Sequence, residues 1–474
     1  MTLPAKFVER VLRDLGGTEG AALCAALDAE PPVSVRLNPA KTGADTLPAG
    51  PDAGLPVPEA AGLPALAIAG RVPWSRDGRY LAVRPSFTLD PDFHAGAYYV
   101  QEASSQFVGH LLAAVRTEGA RILDLCAAPG GKTTLYASLA GPDGLVVANE
   151  IDRRRASVLA DNVRKWGTGN VAVTTCEPRA LGDFEAWFDV VAVDAPCSGE
   201  GMFRKDPDAR GEWSEGNVKQ CAARQDEILR EAWRALRPGG TLVYSTCTFN
   251  RDEDEGALER MAAWAGDEIA ESEETAVEDA WGIVCGRVGA FRTFRFYPHR
   301  TCGEGFFAAV ARKSFDAGGR VRAPKARRTV FAAVDRKTAG ELARWVRNPG
   351  GMHFAAVADT CYAWYAAQAD AVRTLSEALP VIYSGVALGQ VFKGVLKPDP
   401  AVAFFDGMNR GALPAAELDD EETLRFLRRQ DIAAGGLAEG MNLVCSRGRA
   451  LGFAKRIGAR VNNLYPSSLR IIKQ

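Results

Sequence analysis

The sequence predicts an α/β fold: a doubly wound, mostly parallel sheet of Rossmann type, with a small α+β module before it and a β-rich domain after it. Three observations carry that expectation. From Arg121 to about residue 312, short β-branched runs alternate with amphipathic helical stretches. One run opens directly into the glycine turn Cys126-Ala-Ala-Pro-Gly-Gly-Lys132. Two others, Val190–Val193 and Thr241–Tyr244, lead into tight polar turns that set Cys197 and Cys247 just past the strand ends. Open α/β sheets place their ligands there.

Each element has a local reason. Residues 1 to about 30 read as two short helices through the apolar spacing of Phe7, Val8, Val11, Leu12 and Leu15. Val33–Pro39 alternates as a strand, Tyr80–Val83 is another, and the Gly-, Pro- and Ala-rich stretch 43–73 reads as a loop. Gln101–Leu112 is amphipathic and leads into the central domain. The strands expected there are Arg121–Leu125, Leu145–Asn149, Val171–Thr174, Val190–Val193, Thr241–Tyr244 and Phe306–Ala311. The last follows a long excursion, which fits an antiparallel addition. Helices are expected at Thr133–Leu139, Arg153–Trp166 and Val218–Leu236, the last stopped by Arg237-Pro-Gly-Gly240. The expected division is 1–95 for the N-terminal module and 96–315 for the central domain. Residues 316–376 form a basic linker and a small helical module around Ala339–Arg347 and Thr360–Leu375, and 377–474 the β-rich domain.

At 474 residues, 47% hydrophobic and 24% charged, the chain has the make-up of a globular protein of several domains. No apolar run approaches ~18 residues, so no membrane span is expected. The first ten residues lack a basic region followed by an apolar core, so no secretion signal is expected, and the expected compartment is the cytoplasm. The ten cysteines contain no CxxC pair and none of the four histidines lies near a cysteine pair, which argues against a disulfide framework or a zinc site. Cys24, Cys176, Cys221, Cys285, Cys302, Cys361 and Cys445 read as small buried hydrophobes. Formal net charge is -2 but uneven: Arg312–Arg347 holds eleven Lys or Arg against three acids, and Ser446–Gln474 seven against none. Two such basic faces would suit a phosphate backbone.

The glycine turn lets backbone amides approach a ligand at a helix N-terminus. A Walker A loop needs a glycine where Cys126 stands, and GxGxxG is absent, so neither a nucleoside triphosphate nor a dinucleotide fits well. The next strand ends Ala148-Asn-Glu-Ile-Asp152, about twenty residues on, where an acid can grip a ribose diol. Glu150, nearest the strand end, suits this better than Asp152; its alternative is a plain helix N-terminal acid. A neutral loop with a diol-binding acid suits S-adenosyl-L-methionine. Asp194, a proline-stiffened loop and two thiols at one sheet edge suggest covalent chemistry. Both Cys197 and Cys247 sit at strand ends, so position alone does not pick the nucleophile. Lys205 is a candidate for the cation near a reactive thiol, or else an ordinary surface lysine.

Six segments together resemble the sun/Fmu family of RNA (cytosine-5-)-methyltransferases over residues 1 to 312. They are Gln101-Glu-Ala-Ser-Ser105, Asp124-Leu-Cys-Ala-Ala-Pro-Gly-Gly-Lys-Thr133, Asp194-Ala-Pro-Cys-Ser-Gly-Glu-Gly201, Arg204-Lys-Asp-Pro207, Leu236-Arg-Pro-Gly-Gly240 and Tyr244-Ser-Thr-Cys-Thr248. The resemblance implies that Cys126, Ala127, Ala128, Pro129, Gly130, Gly131, Lys132, Glu150, Glu177 and Asp194 contact S-adenosyl-L-methionine. Glu177-Pro178 stands where the family usually has an aspartate followed by glycine. It implies Cys247 as nucleophile, Cys197 as helper in product release, and Asp194 as support for protonation at cytosine nitrogen 3. The implied partner is RNA, namely 16S ribosomal RNA or the small ribosomal subunit, with transfer RNA or a non-catalytic assembly role as alternatives. The C-terminal part is then expected to be a PUA-like RNA-binding domain, and the chain a monomer without a metal.

Overall fold

Parallel strands covered on both faces need apolar residues at nearly every position, and the central strands have them. The computed structural model describes residues 2–43 and 63–472; the predicted loop therefore lies mostly outside the described residues. Nine strands build the central sheet: β1 Arg121–Asp124, β2 Leu145–Asn149, β3 Val171–Thr174, β4 Phe188–Asp194, β5 Leu236–Thr246, β6 Val284–Val288, β7 Phe291–Phe296, β8 Phe306–Lys313 and β9 Val381–Ser384. A two-residue strand, Ile269–Ala270, pairs onto β8. The order is β6-β7-β8-β5-β4-β1-β2-β3-β9. The five inner strands from β3 to β5 are parallel, while β8 joins β5 antiparallel as the sequence indicated. Successive residues divide between two cores, Leu123, Val147 and Val191 on one face and Ile122, Val146 and Val190 on the other. Helices α1 Gly131–Ala140, α2 Arg153–Trp166 and α3 Glu215–Ala235 cover these faces. Strand order reverses between β1 and β4, where such sheets open a crevice.

Three expected elements, Leu145–Asn149, Val171–Thr174 and Arg153–Trp166, match at both ends. The helix α3 instead ends at Ala235 and Arg237-Pro-Gly-Gly240 already belongs to β5, with a register shift against β4. Strands β6 and β7 were not expected; their glycine and arginines weaken the apolar pattern. The N-terminal module is two helices, Ala5–Leu15 and Gly17–Ala26, and a small antiparallel sheet led by Val33–Leu37.

The C-terminal third differs most from expectation. The supposed helical module contains an antiparallel hairpin, Met352–Val357 with Thr360–Tyr365, and only Arg336–Ala343 and Ala369–Ala378 are helices of it. Alanine-rich text in Phe354-Ala-Ala356 and Tyr362-Ala363 imitates a helix, but pairing buries Ala355, Ala363 and Trp364, and that packing decides. This sheet has five strands and continues through Val386–Phe392 and Val395–Pro398, so the boundary at 376/377 cuts through one unit. In the chain between Thr360–Tyr365 and Val386–Phe392, β9 adds instead to the edge of the central sheet beside β3. The separate four-stranded C-terminal sheet begins only at Ala415.

Three of the seven cations of the second basic stretch are used inside the protein. Arg447 bonds Asp92 at 2.9 Å and Asp420 at 3.0 Å, and Arg449 bonds Asp92 at 2.8 Å. Arg456 donates to the carbonyls of Leu437 and Ala434 at 2.6 and 3.2 Å. Of the seven cysteines read as buried, only Cys361 and Cys445 are; Cys285 and Cys302 are exposed and the others lie between.

Asp92, itself buried, thus joins the N-terminal module to the C-terminal sheet by holding two arginines. Removing one partner of a buried ion pair leaves charge without compensation. Asp92→Ala is expected to lower stability by about 3 kcal/mol, read by urea unfolding; an unchanged midpoint would show that this clamp carries no stability.

Candidate active site

The chain leaves β1 at Asp124 and turns through Cys126 to Gly130 before α1. Gly130 has φ +110, and a Cβ there would stand 3.0 Å from Leu159 of α2, so the turn requires glycine. Arg36 of the N-terminal module braces the start of α1. Its guanidinium donates to Gln101 Oε1 at 2.7 Å, Thr134 Oγ1 at 2.6 Å and the Gly131 carbonyl at 3.1 Å, and lies 4.4 Å over the Trp166 ring. Burial pulls Arg36 down to about 10. Asp124 accepts the Thr133 hydroxyl at 2.6 Å through one oxygen, and its other oxygen has no partner. Burial pushes its carboxyl up to about 7, opposed by the Thr133 bond and reinforced by Asp194.

Asn149 ties the ends of the neighbouring strands. It donates to the Cys176 carbonyl at 2.9 Å and accepts from Thr174 Oγ1 at 2.9 Å and from the Cys176 amide at 3.1 Å. Glu150 follows, 4% exposed, with Arg155 3.3 Å from its carboxylate. The same Arg155 donates to the Ala128 carbonyl at 3.0 Å, so it links the glycine loop to Glu150. Ile151 beside it is 51% exposed, an apolar face at the crevice rim. Glu177 is exposed at the N-terminus of the short helix Pro178–Gly182 and caps nothing with its side chain. Residues 126–132, Glu150 and Glu177 therefore gather at the carboxyl ends of β1, β2 and β3.

The thiols meet one strand over. Cys197, after β4, and Cys247, after β5, have their sulfurs 3.2 Å apart. Asp194 accepts Ser245 Oγ at 2.8 Å and pairs with Lys132 Nζ at 2.8 Å. Burial alone would lower the Lys132 ammonium; Asp194, then Cys247 and Asp124, outweigh it and leave it raised, hence charged. It also lies 5.2 Å over the Phe306 ring. The hydrogen bond with Cys247 and burial push the Cys197 thiol well up, and either sulfur of the pair can be the donor. The cation of this site is the partly buried Lys132, whereas Lys205 is exposed.

Residues that the sequence reading missed hold both turns. Glu253 accepts the Ser198 amide at 2.9 Å and Gln225 Nε2 at 3.0 Å with one oxygen, and Asn250 Nδ2 at 2.6 Å with the other. Asn250 also donates to Thr248 Oγ1 at 2.9 Å. Gly201 donates its amide to the Cys247 carbonyl at 2.8 Å, and a Cβ on Gly201 would stand 2.8 Å from that oxygen. Glu200 takes the Phe249 amide at 3.1 Å, Trp213 Nε1 at 2.9 Å, and Arg10 from the first helix. The run Asn250-Arg-Asp-Glu253 directly after Cys247 was the available signal, but nothing local reveals that it turns back onto Ser198. Among the described residues no group of three or more His, Cys, Asp or Glu could hold a metal, and no helix is long and apolar enough to cross a membrane.

A Rossmann-type sheet with a β8 antiparallel to β5, a glycine turn without a phosphate motif and a buried acid after β2 defines an S-adenosyl-L-methionine-dependent methyltransferase. Family models agree along the chain: 16S rRNA methyltransferase RsmB/F matches residues 111–312, the N-terminal domain of 16S rRNA methyltransferase RsmF matches 3–103, and the methyltransferase RsmF PUA domain matches 414–471. The chain is 31% identical to ribosomal RNA small subunit methyltransferase F of Shewanella loihica over 84% of its length and 83% of that protein's. It is 32% identical to that of Erwinia tasmaniensis, covering 84% of each. A methyltransferase homolog protein from Pyrococcus horikoshii superposes with a TM-score of 0.52 at 26% identity, covering 66% of this chain and 100% of that one. NSun6 from Pyrococcus horikoshii with SFG shares the fold, with a TM-score of 0.53 at 21% identity over 65% and 98% of the two chains. The chain belongs to the 16S rRNA methyltransferase RsmB/F family and is an enzyme whose cofactor is S-adenosyl-L-methionine.

Two predictions follow the geometry. Asn250→Ala frees both cysteine turns and is expected to lower methyl transfer on the order of 10²-fold with the protein still folded, as measured by initial rates beside circular dichroism. Asp124 ionises less readily folded than unfolded, so between about pH 4 and 7 the native state holds a proton the unfolded chain has released. Its contribution to stability therefore falls as pH rises through that window. Asp124→Asn removes the slope: in urea unfolding, variant-minus-wild-type stability should rise across the window and level off above it.

Proposed function

We propose that this chain methylates carbon 5 of cytosine in 16S ribosomal RNA, with Cys247 as the nucleophile. The observation that carries the reading is the 3.2 Å approach of the Cys197 and Cys247 sulfurs beside the Lys132–Asp194 pair. Cys126, Ala127, Ala128, Pro129, Gly130, Gly131, Lys132, Glu150, Glu177 and Asp194 are the residues assigned to S-adenosyl-L-methionine, which supplies an electrophilic methyl group when bound. The fit rests on the neutral loop, the buried Glu150 for a ribose diol, and the Asp124 oxygen that lacks a donor.

Carbon 5 of cytosine is a weak nucleophile. Addition of the Cys247 thiolate to carbon 6 converts the ring to an enamine-like species in which carbon 5 is electron-rich. Asp194, held by Ser245 and Lys132, favours a proton at nitrogen 3 and so stabilises the adduct. After methyl transfer, loss of the carbon-5 proton returns the electron pair to the ring and expels Cys247. Cys197 is assigned to that release, since its thiol already touches the departing sulfur.

Membership of a 16S rRNA methyltransferase family and the PUA match at 414–471 support ribosomal RNA as the substrate; a cytoplasmic monomer is part of the same proposal. The test is transfer of labelled methyl to unmodified small subunits, free 16S RNA and bulk transfer RNA. Label in 16S RNA is expected. Cys247→Ala should abolish it, and Cys197→Ala should slow turnover while a protein–RNA adduct accumulates on denaturing gels. Label confined to transfer RNA, or an active Cys247→Ala, would overturn the reading.

A further inference from the structure

Residues 313–413 lie between the stretches matched by the methyltransferase and PUA family models, and they hold a surface that the chemistry above does not use. Val386–Phe392 and Val395–Pro398 form a hairpin in the five-stranded sheet. Phe392 pairs directly with Val395, so the turn is the two residues Lys393-Gly394, at φ +50 and +79. Two positive φ values make this a type I′ geometry, for which Asn-Gly or Gly-Gly is the ordinary choice. A lysine stands in the strained position instead. Register puts Gln390, Phe392, Val395 and Lys397 on one face, all exposed, while Leu396 on the other is buried in the core. Phe392 is 71% exposed and carries the Lys393 ammonium 5.4 Å over its ring.

The neighbouring helix breaks a local rule in the same direction. Arg336–Ala343 begins with two cations, Arg336 and Lys337, at the end where the helix dipole disfavours them. A Cβ on Gly394 would stand 3.4 Å from Lys337 Nζ, so that ammonium lies against the turn. The carboxylates beside them are engaged elsewhere: Asp335 caps the helix through the Thr338 amide at 2.7 Å, and Glu341 accepts the Leu396 amide at 3.0 Å. That last bond also locks hairpin to helix.

We infer that this hairpin is a single-stranded RNA contact, in which an unpaired base stacks on Phe392 and flanking phosphates meet Lys393, Lys397, Lys337 and Arg336. An exposed aromatic ringed by cations on a rigid strand pair is the chemistry that recognises an unstacked nucleotide. Two apolar side chains are too little for a stable protein interface, and the charges of the hairpin itself, Lys393 and Lys397, are both positive. Strain at Lys393 and cations at a helix N-terminus are retained against local stability, which points to function at that spot. The inference rests on RNA being the substrate and names where, away from the reacting cysteines, the chain holds it.

The test compares affinity for an unmodified 16S RNA transcript among four proteins at two salt concentrations. Phe392→Ala should bind about tenfold more weakly, and Phe392→Trp like the wild type. Lys393→Gly should melt higher, because the strain is gone, yet bind more weakly with a shallower salt slope. KM for RNA should rise in Phe392→Ala without a change in kcat. Affinity and KM unchanged in both Phe392→Ala and Lys393→Gly would overturn the inference and turn attention to a protein partner for the hairpin. If the wild type methylates no RNA, the functional reading fails, while the affinity comparison still decides the hairpin.

Discussion

Two sulfur atoms on separate loops remain 3.2 Å apart only if both loops are fixed from behind, and the buried Glu253 carboxylate fixes them. It receives Ser198, Gln225 and Asn250, which span the turn after β4, the helix α3 and the turn after β5. Burial raises the pKa of this acid, and the bonds from Ser198 and Asn250 counter that rise. Hydrogen bonds to a charged group of this kind are worth roughly 1.5–3 kcal/mol each, enough to hold short turns that have few apolar contacts. The thiol pair and the approach of Gly201 to Cys247 depend on this clamp.

Charge is distributed to keep different groups in different protonation states at one pH. Lys132 stays an ammonium because Asp194 outweighs its burial, whereas Asp124, a few residues away on β1, is pushed toward neutrality by the same burial. The Cys197 thiol is pushed up by its contact with Cys247 and by burial. One acid, one cation and one thiol are thereby set by their partners and not by their type.

The flanking modules are built into the same body. Arg36 braces the cofactor helix from the N-terminal side, Arg10 reaches Glu200, and β9 lends the sheet an edge strand from the C-terminal side. The Leu379-Pro380 stretch before β9 also takes the Thr175 amide at 3.2 Å next to Cys176 and Glu177. Segments that are covalently remote are thus mechanically close to the crevice.

The sequence by itself determined the central domain: continuous β-branched runs for buried strands, a glycine loop for close approach, and motifs dense enough to mark Asp194, Cys197 and Cys247. These are local signals, readable because each needs only its own neighbours. Tertiary structure alone decided which cation serves the site, Lys132 in place of Lys205, since that depends on what faces Asp194 across the crevice. It alone turned Arg447 and Arg449 from a basic face into a clamp on Asp92, and made strands of the alanine-rich 352–365. Counter-charges lie far along the chain, as Asp92 does from Arg447 and Arg449, and local composition carries no record of what will be packed against it.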